Sequence, residues 1–461
     1  MLELKFTKKV LNTLLNSGGD FSEIYAQMRI LNSIRLDDGK IENSNTGFEL
    51  GCGLRLIYKD STFYAYVDSL DEDKILNAAK ILSAAISDIG IIKVLDLNES
   101  ISSYSVRIKK YPSSTIQDFK KNILLDINDT ARNYNSQIIQ VSSNLSDVEE
   151  EVYIANSEGS LATNKTVKVY LSVNVVAKRD SEIRTGYKSV AKTRGYEIFE
   201  NNKPSDIATK AGRIAVTMLD AINAPAGILP VVIGPAFGGV IFHEACGHGL
   251  EADAILKDAS VYKEKLGKKI ASNNVTAVDD SSMTGHWGSY KFDDEGYPSG
   301  KNILIKDGIL QNYIFDYKTA RKMKKGQTGN GRRQSFRDIP IPRMSNTYID
   351  KGIEKPDAII KLVKKGIFAK EFAGGQVDPA TGDFVFGISE GYMIENGSIT
   401  FPIKGATLIG NGPDVLKKIE AIGNDLDFAP GFCGKNGQAA SNEVGQPTIL
   451  VSEITIGGTK I

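Results

Sequence analysis

Residues 243–253 read HEACGHGLEAD, and this string decides how the rest of the chain is interpreted. It holds two of the three histidines of the protein, with a glutamate directly after the first one. Two imidazoles and a carboxylate at such close spacing, after the apolar run 240–242, are typical of a zinc site on a helix. The string therefore predicts that His243 and His248 bind a metal and that Glu244 is the catalytic base.

The spacing of the two histidines differs from the common zinc-protease pattern. In H-E-x-x-H the ligands are four positions apart and share one helix face, whereas His243 and His248 are five positions apart. At about 100° per residue a regular helix would separate the two rings by roughly 140°, too far to share one ion. We therefore predict a π-type turn, which Gly247 and Gly249 would permit at low cost.

A catalytic zinc ion needs three protein ligands and one open position, so a third ligand must complete this site. The candidates are Cys246, Glu251, Asp253, His286 and Cys433. A distant residue suits the geometry better than a neighbour, and zinc accepts sulfur readily. We favour Cys433, because its glycine-rich surroundings predict a tight turn that lets the thiolate approach the ion.

The chain before this string predicts an α+β fold in two units, 1–112 and 113–224. Helical periodicity, strand-like alternation and turn residues each mark elements in both units. The predicted elements of the first unit are a helix at 4–15, an extended segment at 21–35, a hairpin at 48–67 and a helix at 71–89. Those of the second are a helix at 115–134, strands between 137 and 191, and a helix at 205–223. Together they predict an antiparallel sheet with amphipathic helices.

From residue 225 onward the composition shifts toward glycine, with short strands separated by glycine turns. This pattern predicts a mainly-β domain over 225–461 that carries the metal-binding helix. Nothing in the sequence indicates a repeat or a low-complexity tract.

Composition limits the classes of partner. The 56 basic and 56 acidic residues cancel, which argues against nucleic acid or an anionic membrane as a partner. No apolar run approaches the roughly 18 residues that cross a bilayer. Three widely separated cysteines do not form a disulfide framework and favour a reducing compartment. We therefore expect a cytoplasmic protein.

Further strings support a resemblance to a known family. They are the acidic string 293–296, the arginine pair Arg332-Arg333, the string SFRDIPIPRMSNT at 335–347 and FCGK at 432–435. With HEACGHGLEAD, they resemble the modulator-of-gyrase peptidases, the TldD/PmbA family, in its metal-bearing branch. The resemblance implies zinc bound by His243, His248 and Cys433, with Glu244 as base. It also implies a homodimer, or pairing with a related subunit that lacks the H-E-x-x-x-H string, around an enclosed cavity that admits unfolded peptides.

The predicted function is zinc-dependent hydrolysis of unfolded or short peptides, in which Glu244 takes a proton from a metal-activated water. An oxyanion donor is also needed, and the candidates are His286, Tyr290, Arg332 and Arg333. The arginines could instead form a solvated charge run, bind a substrate carboxylate or line a subunit contact. The acidic string is most simply a turn, with a second metal site as the alternative. Two alternatives remain, namely a protein in which zinc only stabilises a scaffold or partner subunit, and a zinc hydrolase of a small amide.

Overall fold

The computed structural model describes residues 2–86 and 93–459. The N-terminal half is α+β, as the sequence predicts. Its helices are α1 (Leu4–Leu15), α2 (Glu72–Ala84), α3 (Gln117–Tyr134), α4 (Ile198–Asn201) and α5 (Pro204–Thr217). Its strands are β1 (Phe21–Asp37), β2 (Lys40–Tyr58), β3 (Ser61–Val67), β4 (Asn98–Glu99), β5 (Ile138–Asn156), β6 (Ser160–Arg179) and β7 (Glu182–Lys192).

These strands form one seven-stranded sheet in the order β3-β2-β1-β5-β6, with β7 and β4 also paired to β6. All its pairings except β4–β6 are antiparallel. Strand β1 pairs with β5 from Glu23 to Asp37, so the predicted units 1–112 and 113–224 share a single sheet. The boundary between them lies in the connection that leads from β4 to α3.

Helices cover this sheet through two apolar clusters. One face of α1 is buried against the first strands and α2, since its apolar residues recur at helical spacing; they are Phe6, Val10, Leu11, Leu14 and Leu15. Helices α3 and α5 bury a second cluster against β5 and β6. The two groups of helices therefore cover separate apolar cores.

The C-terminal half is rich in β-structure, again as predicted. Its strands are β8 (Ile222–Asn223), β9 (Gly227–Ile233), β10 (Ala277–Asp280), β11 (Lys301–Lys306), β12 (Ile309–Leu310), β13 (Gly331–Arg332), β14 (Ile341–Pro342), β15 (Asn346–Ile349), β16 (Lys365–Val377), β17 (Asp383–Glu395), β18 (Ser398–Lys404), β19 (Thr407–Asn411), β20 (Ile419–Ile422), β21 (Asp427–Lys435), β22 (Gln438–Gln446) and β23 (Ile449–Gly457). Its helices are α6 (Val240–Ala245), α7 (Ala252–Leu256), α8 (Tyr317–Met323), α9 (Pro356–Lys361) and α10 (Gly412–Lys417).

Two sheets organise this half. Strands β16, β9, β23, β19 and β17 close into a five-stranded barrel, because β16 pairs with β17 as well as with β9. The second sheet has the order β12-β11-β10-β15-β22-β21. Helix α6 is buried between them and contributes Val240, Ile241, Phe242 and Ala245 to the largest apolar core. The string 243–253 is thus held between a barrel and an open sheet.

Two predicted helix ends differ from the structure. The helix predicted at 205–223 ends at Thr217, is followed by a 3₁₀ turn, and gives way to β8. The helix ends early because Ile222 and Asn223 pair with Ile403 and Lys404 of β18. These partners are distant in sequence, so local patterns do not predict the pairing. The helix predicted at 71–89 ends at Ala84, and residues 87–89 lie outside the described part of the chain. None of the helices in the described ranges has the length and apolarity needed to cross a bilayer.

Candidate metal centre

The string 243–248 does not form the predicted π-type turn, and that prediction is wrong. Helix α6 ends at Ala245, Cys246 leaves the helix with φ −128° and ψ −50°, and a separate 3₁₀ turn runs from Gly247 to Leu250. The ring of His248 is therefore reoriented by a break between two short helices. The prediction had assumed a single widened helix. Gly247 permits this path, because a Cβ at that position would lie 2.2 Å from Sδ of the buried Met344.

The break brings both imidazoles to one place. The ring centroids of His243 and His248 are 5.1 Å apart, and the ring planes are nearly perpendicular at 84°. Sγ of Cys433 lies 3.2 Å from Nε2 of His248. One ligand atom from each of the three residues lies within 4.8 Å of the other two.

Cys433 reaches this place from a strand, so the predicted tight turn at this residue is also wrong. It lies in β21 and pairs with Ala440 of β22, while the hairpin turn follows at 436–437. Arg343 donates a hydrogen bond to the carbonyl of Cys433, which ties the strand to the chain before β15. The thiol position is therefore set by sheet register.

The donor atoms of the three residues fit a metal such as zinc. Burial would raise the pKa of Cys433, but hydrogen bonds from His243 and His248 lower it to about 4. Burial would lower the pKa of His248, whereas Glu251 and Cys433 raise it well above its ordinary value. A thiolate beside two imidazoles is a donor set that zinc accepts in proteins.

Glu244 lies beside this cluster with its side chain 26% exposed. Its Oε2 is 3.9 Å from Nε2 of His248, which is too far for a hydrogen bond. Within the described ranges Glu244 accepts no hydrogen bond. Its carboxylate is therefore free to interact with a water or a substrate group.

The other ligand candidates near the motif have different roles in the structure. Glu251 accepts from Nδ1 of His248 at 2.9 Å, and Lys435 binds both Glu251 and Asp253. Burial would raise the pKa of Glu251, yet Lys435 and His248 lower it to about 2. Cys246 is fully buried, and burial raises the pKa of its thiol to about 12. These three candidates surround the cluster without joining it.

Sequence reasoning missed two outer contacts. Asn442 of β22 lies 3.2 Å from Nδ1 of His243, and Lys435 contacts the carboxylate that holds His248. A signal for Lys435 was present, because residues two apart in a strand share one face and Lys435 is two positions after Cys433.

His286 lies on the other face of β22. Its Nδ1 hydrogen-bonds the buried Glu443, which also pairs with Lys192 at 2.9 Å. Glu443 follows Asn442, and successive strand residues point to opposite faces. His286 also lines a cavity of about 350 Å³ with Lys192 and Arg194. The sheet thus separates His286 from His243, and its oxyanion role stays a prediction.

The arginine pair is buried and is not a solvated charge run. Arg332 donates to the carbonyls of Met344 and Ser441. Arg333 binds Glu23 of β1 and lies over the ring of Tyr25 at 4.3 Å. The pair ties the C-terminal half to the N-terminal sheet, and its participation in catalysis stays a prediction.

The acidic string forms a turn, as predicted, but the turn is buried. Asp293 accepts hydrogen bonds from three backbone amides. Glu295 pairs with Arg55 of β2 at 2.7 Å, and both side chains are almost inaccessible. These contacts make the string part of the junction between the two halves.

Comparisons with known proteins agree with this fold and with a metallopeptidase class. Three family profiles match the chain: PmbA/TldA metallopeptidase domain 1 over residues 22–86, the central domain over 110–219 and the C-terminal domain over 226–458. A metalloprotease TldD homolog from Haemophilus influenzae is 40% identical over 95% of this chain and 93% of that protein. A zinc metalloprotease TldD homolog from Saccharolobus solfataricus is 26% identical over 96% of this chain and 97% of its own length.

A solved structure shares the fold. TldE from Thermococcus kodakarensis superposes with a TM-score of 0.80 and 19% identity, covering 99% of both chains. The chain therefore belongs to the PmbA/TldD metallopeptidase family, as its motifs predict.

Proposed function

We propose that this protein is a zinc-dependent peptidase in which His243, His248 and Cys433 hold the metal and Glu244 is the general base. The observation that carries the proposal is the convergence of three ligand atoms within 4.8 Å beside a carboxylate without a hydrogen-bond partner among the described residues. Relatives named as metalloproteases support the same class.

Zinc is the metal that the donor set favours. Two imidazoles and one thiolate match the composition of known catalytic zinc sites, which keep a fourth position open. The cluster of possible ligands at this place, within the described residues, contains three members. A purely structural site would have four protein ligands, so the count favours catalysis over the scaffold alternative.

The residues of the chain divide the work of hydrolysis. Held by His243, His248 and Cys433, a zinc ion would supply Lewis-acid chemistry to the peptide carbonyl and to a water. Glu244 accepts the proton of that water and passes it to the nitrogen of the departing amine. A partly exposed carboxylate next to Nε2 of His248 is suited to both transfers.

An extended peptide is the substrate that the surroundings favour. In the order of the six-stranded sheet, β21 is the last strand described, so it presents one edge beside Cys433. Phe432, next to the thiolate, is 60% exposed. A strand edge binds peptides through main-chain hydrogen bonds without reading their sequence. This edge favours a peptide over the small-amide alternative.

Assembly and location remain part of the proposal. We expect a homodimer, or a dimer with a related subunit that lacks the H-E-x-x-x-H string, and a cytoplasmic protein. Sedimentation of the purified protein, alone and with such a subunit, tests the first expectation.

The decisive test is Glu244→Gln. We expect zinc content equal to wild type but peptide hydrolysis reduced by about 10²–10⁴-fold, because the general base is lost and the ligands are not. Metal analysis and cleavage of one protein in its folded and denatured forms measure both effects. We expect wild type to cut only the denatured form.

Glu420→Gln, the same change at an exposed position of β20, is the control and should behave as wild type. Undiminished cleavage by Glu244→Gln would refute the assigned base. Absence of zinc from the wild-type protein would refute the metal site.

A further inference from the structure

Strand β21 is joined to the string 243–253 at two points. Cys433 and Lys435 are two residues apart in this strand and therefore share one face. Cys433 reaches His248 through Sγ, and Lys435 reaches Glu251 and Asp253 through Nζ. The strand that supplies the third ligand thus also supplies a cation to the segment that holds the second.

The two nitrogens of His248 are used differently. Nε2 faces Sγ of Cys433 at 3.2 Å, while Nδ1 lies 2.9 Å from Oε2 of Glu251. A carboxylate at Nδ1 requires a proton there, which leaves the Nε2 lone pair available for a metal. The position of Glu251 therefore selects the tautomer that a ligand needs.

Glu251 is itself held in place by charge. It is only 1% exposed, and the same Oε2 lies 3.0 Å from Nζ of Lys435. Lys435 also contacts Asp253 at 2.6 Å, so one cation links two acidic residues of the string. A buried carboxylate without such a partner would destabilise the fold. The positive charge of Lys435 therefore stabilises Glu251 in its buried position.

We propose that Glu251 and Lys435 are a positioning pair that fixes the tautomer and orientation of His248 and so assembles the site before zinc binds. The inference rests on the proposed function, because it assumes that His248 is a zinc ligand. Neither residue touches the metal in this proposal.

Glu251→Gln tests the pair. The amide has nearly the shape of the carboxylate but lacks its charge, and it can equally donate to Nδ1 and select the wrong tautomer. We expect zinc affinity, measured by chelator competition, to fall about 10- to 100-fold, as for other outer partners of histidine ligands. In the cobalt-substituted protein the thiolate-to-metal absorption should weaken as well.

Lys435 provides a second, independent variant. Lys435→Met should also weaken zinc binding, whereas Lys435→Arg keeps the charge and should restore most of the affinity. The matched control is Glu390→Gln, at an equally buried carboxylate whose partners are Arg213, Lys370 and Tyr392. It should lower the melting temperature of the metal-free protein without changing zinc affinity.

The outcomes are distinguishable. Zinc affinity of Glu251→Gln equal to wild type, or a loss in Glu390→Gln of the same size, would overturn the positioning role. A wild-type protein that binds no zinc would overturn the proposed function itself.

Discussion

At the scale of single residues, the three cysteines lie in three different environments. Burial raises the pKa of Cys52, which the positive charge of Arg333 offsets only in part, and burial raises the pKa of Cys246 to about 12. Two histidines lower the pKa of Cys433 to about 4. Only a thiolate reacts readily with alkylating agents, so the three thiols should differ in reactivity.

We expect iodoacetamide at pH 6 to modify Cys433 in the metal-free protein and to leave Cys52 and Cys246 unmodified. Peptide mass spectrometry measures each site. Zinc should protect Cys433, because its sulfur is then coordinated. Equal labelling of all three cysteines, or labelling that zinc does not change, would contradict the assigned thiolate.

The histidine ligands could be predicted from the sequence because they lie close together in one short string. Two histidines around a glutamate at this spacing are typical of a zinc site, and the structure brings Cys433 to them as predicted. Its spacing from Cys433 places Lys435 on the same strand face, but its contact with Glu251 could not be found in this way, because that contact depends on the register of β21 against a segment that is remote in sequence.

At the scale of elements, β7 and α5 lie unusually close together. A Cβ at Gly186 of β7 would be 2.0 Å from the carbonyl oxygen of Ala211 in α5. Backbone atoms on both sides leave no flexible neighbour to move aside. The close approach of strand and helix therefore requires glycine at this position.

Gly186→Ala should lower the free energy of unfolding by about 1–3 kcal/mol, the usual cost of overpacking. Urea denaturation measures the change. Gly300→Ala is the control, since nothing lies within 4 Å of a Cβ there, and its stability should stay near that of wild type. If the two variants were equally stable, the close approach would be wrong.

Elements with strong local periodicity were predictable, and those set by distant partners were not. The hairpin 48–67 and the helix 4–15 match β2, β3 and α1, because alternation and helical spacing are properties of the segment itself. The end of α5 was missed because β18 recruits Ile222 and Asn223. The break after Ala245 was missed because Met344 and neighbouring strands, which shape it, are distant in sequence.

At the scale of the whole molecule, buried ion pairs join the two halves. Arg55 of β2 binds Glu23 and also Glu295 of the C-terminal half, and Arg333 binds Glu23 from the other side. Arg213 of α5 binds Glu390 of β17 at 2.9 Å. These ion pairs connect the N-terminal half both to the segments around Glu295 and Arg333 and, through Arg213, to the barrel.

The Glu390 contact predicts a pH dependence of stability. Burial opposes ionisation, but hydrogen bonds from Arg213, Tyr392 and Lys370 lower the pKa of Glu390 below its ordinary value. Since the unfolded chain binds this proton more tightly, the contribution is complete above about pH 4.3 and is lost as pH falls through the folded-state pKa.

Glu390→Gln should therefore cost about 1–3 kcal/mol at pH 7, and the difference from wild type should shrink toward pH 3. Urea unfolding of both proteins across this range gives the result. A difference that does not change with pH would show that the carboxylate charge is not what stabilises the junction.

The arrangement of the whole chain was the hardest level to predict. Fold class followed from element patterns, but the continuous sheet did not, because β1 pairs with β5 across more than one hundred residues. Such pairing is set by burial of the assembled faces, which a local pattern does not contain.

The distance in sequence between the two parts of the metal centre also bears on when the enzyme can become active. His248 and Cys433 are 185 residues apart, and a ribosome adding about 5–20 residues per second needs roughly 10–40 s to travel between them. Throughout that interval the nascent chain carries both histidines and Glu244 but no thiolate partner. Hydrolytic competence would therefore arise only after synthesis has passed Cys433 and its strand has paired with β22.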